Sequence, residues 1–104
     1  MDSFTEYVLE QLHPLEVVEK RMFGGYGLYL QDTFFAIIYK QELYFKTNQE
    51  NKEKYGTHPF KPNKKQTLHN YLAVPAHVLE DEEELKTWAK EATNKWGEKN
   101  IFVW

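Results

Sequence analysis

The sequence predicts an α+β fold of two layers, an antiparallel meander sheet with flanking helices, in the order α-β-β-β-β-α-β-α. Three observations carry this expectation. Helical periodicity with start signals occurs at both ends of the chain, around Phe4 and around Leu85. Between them lie short runs of β-branched and aromatic residues, separated by brief polar breaks. Those breaks are too short for a crossover helix, so neighbouring strands must pair antiparallel.

Ser3-Phe4-Thr5-Glu6 reads as a capping box, with Ser3 at the N-cap and Glu6 at N3. Phe4, Tyr7, Val8 and Leu12 then recur at helical spacing. Pro14 pushes His13 out of the α region and ends this first helix near residue 13. Residues 17–23 read as extended. Leu28-Tyr29-Leu30, residues 34–39 and Leu43-Tyr44-Phe45 follow as strands, broken at Gln31-Asp32-Thr33 and Lys40-Gln41-Glu42. The run 34–39 is apolar on both faces, which predicts a central strand covered by a helix on one side and a partner on the other. Thr47-Asn48-Gln49-Glu50 reads as a second capping box, opening a short helix that Gly56 ends in the left-handed conformation. Residues 57–65, with Pro59 and Pro62, read as a loop, and residues 68–74 as a fifth strand closed by Pro75. Asp81 caps a third helix with Glu82, Glu83 and Glu84 at its positive end. Its apolar stripe is Leu85, Trp88, Ala89, Ala92 and Trp96, its outer side carries Glu82–Lys86 and Glu91–Lys95 pairs, and Gly97 stops it. Ile101-Phe102-Val103-Trp104 is an apolar tail to the single expected domain, 1–104.

A chain of 104 residues with 41% hydrophobic and 16% aromatic content can bury a core without staples. It has no cysteine, which excludes disulfides, thiolate metal sites and thiol nucleophiles. The first residues form no signal peptide and no apolar run is long enough to span a bilayer, so a cytoplasmic location is expected. The net charge of −3 disfavours duplex binding, because phosphate neutralisation needs a basic surface. His13, His58, His69 and His77 lack metal-ligand spacing, and Ser3 is the one serine. No cofactor, metal or catalytic residue is expected, and the chain reads as non-enzymatic.

The densest feature is Gly24-Gly25-Tyr26-Gly27. A dinucleotide fingerprint needs G-x-G-x-x-G leading into a helix, whereas here a strand follows, and no G-K-[ST] marks a P-loop. A chain reversal or bulge between the first two strands fits better, since glycine alone reaches positive φ cheaply.

The segments RMFGGYGLYL, FFAIIYKQELYFKT and NYLAVPAHVLEDEEELKTWAKEA, in this order, resemble the N-terminal domain of the TfoX (Sxy) family of bacterial competence regulators. The resemblance runs from about residue 17 to residue 92. It implies a small α+β fold similar to secretion-chaperone-like domains, and a link to regulating DNA-uptake genes without established catalysis. Full-length regulators of the family also carry a second, C-terminal helical domain, which this sequence does not include.

The function expected is therefore a regulatory or protein-interaction module. The expected partner surface is Arg21, Phe23, Gly24, Gly25, Tyr26 and Gly27, with Tyr29, Phe102 and Trp104 as further aromatic anchors, because Arg, Tyr and Trp dominate binding hot spots. The expected partner is a protein, with a homodimer as one option. The alternative is a weak nucleic-acid contact through Lys46, Lys61, Lys64 and Lys65, interleaved with Phe60 and Tyr71; a small-molecule-binding or enzymatic domain ranks third.

Overall fold

In the computed structural model, which describes residues 2–22 and 24–93, one antiparallel sheet of six strands carries helices on a single face. Helix α1 spans Ser3–Leu12. Its N-cap is Asp2 and not Ser3: the Thr5 N–H donates to the Asp2 carboxylate at 2.8 Å. That carboxylate serves as well as a serine hydroxyl and adds a negative charge at the positive end of the helix. The side-chain and backbone hydrogen bonds with Thr5 also hold the Asp2 carboxyl below its ordinary pKa. The helix ends at Leu12 with His13 extended, as Pro14 requires.

The meander follows as expected: β1 Val17–Met22, β2 Gly25–Leu30, β3 Thr33–Tyr39 and β4 Glu42–Lys46, each antiparallel to the next. Two of its reversals are two-residue turns with both central residues at positive φ, Gln31-Asp32 (53° and 64°) and Lys40-Gln41 (48° and 64°). This geometry matches the right-handed twist of the flanking strands. A bulge interrupts β2–β3 pairing. Leu28 faces Ala36 and Tyr29 faces Phe34, which leaves Phe35 as the extra residue. Phe35 and Ala36 consequently both enter the helix-side core, where Phe35 packs 5.6 Å from Phe45.

After β4 the expected capping box is absent. Asn48 does the capping instead, its Oδ1 accepting from the N–H groups of Glu50 and Asn51, and only a 3₁₀ turn, Lys52–Lys54, follows. Thr47 is drawn away by its hydroxyl's bond to the Asn70 carbonyl. Gly56 has φ +56°, as expected. The expected loop 57–65 is in fact the strand β5, Pro59–Asn63, hairpinned to β6, Gln66–Ala73. The strand order β1-β2-β3-β4-β6-β5 places β5 at the sheet's edge, where proline's missing N–H costs no pairing. A short helix α2, Ala76–Leu79, follows Pro75, and α3 runs Glu82–Thr93. Asp81 caps α3 as expected, accepting from the N–H groups of Glu83 and Glu84.

Leu85, Trp88, Ala89 and Ala92 of α3 join Val8 and Leu12 of α1 over Leu28, Ala36, Ile38, Leu43 and Phe45. Full burial of each large side chain contributes about 1.5–3 kcal/mol. Trp96, Lys95, Gly97 and the tail fall outside the described residues. The opposite face holds a second cluster of Ile37, Tyr44, Phe60 and Ala73. The β5–β6 hairpin closes it: Phe60 is fully buried, 5.3 Å from the Tyr39 ring and 5.0 Å from the Tyr44 ring. The cover expected from a partner over the central strand is thus supplied in part by the chain's own hairpin.

Candidate functional site

Of the expected partner residues, Arg21, Gly24, Gly25, Tyr26 and Gly27 lie on the β1–β2 hairpin at the sheet's other edge. Gly24 forms its turn with φ +82°, the one glycine of the cluster in the left-handed region. Gly25 and Gly27 answer a different need. They lie within β2, between β1 and β3, where a Cβ on Gly25 would fall on the Ile38 carbonyl oxygen and one on Gly27 would fall on Met22 and Phe34. The chain reversal expected of this stretch is present at Gly24, whereas the β1–β2 register runs without a bulge, and these two glycines serve close approach.

Arg21 is exposed and directly opposite Tyr26, with its guanidinium carbon 5.9 Å from the ring centroid. Tyr26 is half-buried and packs by one side against the helix-side core, so its position is held. On the opposite face of the same strand, across from Tyr29, Val18 is 53% exposed, the most exposed large aliphatic residue on β1. Phe23 lies outside the described residues, as do Phe102 and Trp104. Tyr29 turns to the other face, with Lys20 4.9 Å above its ring and Phe34 5.2 Å away, and Phe34 continues the row to Tyr71 at 5.8 Å. Burial, and then the neighbouring Tyr29, push the Tyr71 hydroxyl pKa up.

The four lysines are spread over three places. Lys46 ends β4 opposite Tyr71, Lys61 lies on β5, and Lys64 and Lys65 form the β5–β6 turn. All four lysines are exposed, yet Phe60, the ring expected to stack beside them, is wholly buried. It has no free face for a base.

A further constellation had no signal in the sequence. The Tyr44 hydroxyl donates to Glu42 Oε1 at 2.5 Å, and His58 Nε2 lies 3.1 Å from the same oxygen. Burial raises the Glu42 pKa, but the hydrogen bonds from Tyr44 and His58 outweigh it and hold the carboxyl below its ordinary value. Burial and the adjacent carboxylate push the Tyr44 hydroxyl up. These groups line a shallow cleft of about 340 Å³ with Tyr39, Lys40, Pro59 and Lys61. Glu42 and His58 are distant in sequence and meet only because the β5–β6 hairpin returns past β4, which no spacing rule reveals. The arrangement ties the start of β5 to the sheet.

Among the described residues no helix is long and apolar enough to cross a membrane. No curated protein matches the chain. The quoted RMFGGYGLYL segment, the meander behind it and the capped α3 all fall within residues 9–95, which match the TfoX N-terminal domain, and the chain belongs to that family.

Proposed function

We propose that the chain is a non-enzymatic regulatory module of the bacterial cytoplasm that acts by binding another protein in the control of competence (DNA-uptake) genes. Membership of the TfoX N-terminal domain family supports the setting. One observation carries the mode of action: Arg21 and Tyr26 stand as a packed pair on an outer hairpin whose Val18 is 53% exposed. A half-buried aromatic that fixes an exposed guanidinium loses little conformational entropy on binding, which is what hot spots require. The buried state of Phe60 and the separation of the lysines weigh against the nucleic-acid reading.

The test is a reporter fused to a DNA-uptake gene, in cells whose only copy of the protein carries Arg21→Ala with Tyr26→Ala. The reading expects reporter output to fall at unchanged protein abundance. Output equal to that of the native protein contradicts it.

A further inference from the structure

We infer that the outer edge of β1 is a self-complementary docking strand whose occupant is β1 of a second copy of this chain. The inference rests on reading the β1–β2 hairpin as a contact surface, and it names that surface's partner. The sheet has two edges, β1 and β5. The β5 edge is blunted by Pro59 and Pro62 and by two register shifts against β6. The β1 edge has six residues, no proline and an exposed Val18, and among the described residues no strand pairs with its outer side.

The two faces of β1 are chemically distinct. Val17, Glu19 and Arg21 share the helix side, as Val17 and Arg21's neighbour Tyr26 pack against the helix-side core. Val18, Lys20 and Met22 share the other side, with Tyr29, Gly27 and Phe34. Two copies of one strand pair antiparallel about a two-fold axis perpendicular to the sheet, which keeps each face on its own side. Only residues of the same face can therefore stand opposite each other.

Centring the axis on Lys20 satisfies this with matched chemistry. Glu19 of each copy faces Arg21 of the other, and Val18 faces Met22, each pair occurring twice. Lys20 meets its own copy at the axis, but each amino group is already drawn over its own Tyr29 ring. Centring instead on Glu19 sets that carboxylate against itself and Val18 against Lys20. With one open edge per chain, the pairing closes as a dimer with a continuous sheet and does not grow into a filament.

Sedimentation of the full chain from micromolar to near-millimolar concentration tests this, with Arg21→Glu, Glu19→Arg and the double swap E19R/R21E. The expected result is a dimer for the native chain and dissociation about tenfold easier for each single reversal, since two cross-strand charge pairs become repulsive. The double swap restores the native affinity. Both altered residues lie on the sheet's edge, and circular dichroism melts confirm that each variant is folded. A native chain that stays monomeric, a dimer indifferent to both reversals, or a swap that fails to restore pairing overturns the inference. A monomer whose reporter output still falls with the Arg21/Tyr26 substitutions removes the second copy as partner and leaves the regulatory reading standing.

Discussion

The ring of Tyr55 lies 4.5 Å from that of Trp88, centroid to centroid, and joins the 3₁₀ turn to α3 across the helix-side core. Trp88 is 5% exposed, and its replacement by alanine removes the largest apolar group of the α3 stripe. Trp88→Ala should destabilise the fold by about 3–5 kcal/mol, read as a lower denaturation midpoint. Tyr55→Phe should behave oppositely. The Tyr55 hydroxyl is buried with no hydrogen-bond partner among the described residues, so its removal should leave stability unchanged or raise it by about 1 kcal/mol.

The same hydroxyl sets an alkaline dependence. Burial, and then the nearby Glu91 carboxylate, push its pKa above the ordinary value of 10.0. Above pH 10 the unfolded chain therefore loses this proton while the folded chain keeps it. Its contribution is fully present below pH 10 and declines as pH rises toward the folded value. Denaturant titrations across that range should show a steeper alkaline loss for the native chain than for Tyr55→Phe.

The three glycines of the β1–β2 hairpin should separate by mechanism. Gly25→Ala drives a methyl group into the Ile38 backbone carbonyl, which cannot yield, and should cost about 2–4 kcal/mol. Gly27→Ala meets the Met22 and Phe34 side chains, which can shift, and should cost less. Gly24→Ala meets nothing within 4 Å but keeps φ at +82°, so its cost is the backbone strain of about 1 kcal/mol. Thermal melts of the three variants order them, and equal costs would refute the division.

The turn between β2 and β3 offers a gain. Gln31 and Asp32 both hold positive φ, which glutamine disfavours and which aspartate tolerates less well than glycine. Gln31→Asn with Asp32→Gly should stabilise the hairpin by about 1 kcal/mol, measured as a raised melting temperature.

These residues also show what a linear reading can reach. The meander, the end of α1 at Pro14, Asp81 as a cap and the α3 stripe from Leu85 to Ala92 each follow from local spacing, and each stands in the structure. The lost features depend on contacts distant in sequence. β5 was hidden because Pro59 and Pro62 argue against a strand until its edge position is known. The Phe35 bulge turns two successive residues to one side, which no period of two expresses. At the hairpin, residue type singled out Arg21 and Tyr26 but not that they stand opposite each other, and the packing duty of Gly25 and Gly27 required β3 beside them. The Glu42–Tyr44–His58 cluster was illegible for the same reason.

The central claim is that the β1–β2 hairpin, and not the lysine-bearing hairpin, is where this protein meets its partner. The most direct measurement compares DNA-uptake transcripts, normalised to folded protein, for Arg21→Ala/Tyr26→Ala and for Lys61→Ala/Lys64→Ala/Lys65→Ala. The account predicts that transcripts fall in the first variant and stay at the native level in the second. Native transcript levels in the first variant, with loss in the second, would contradict it.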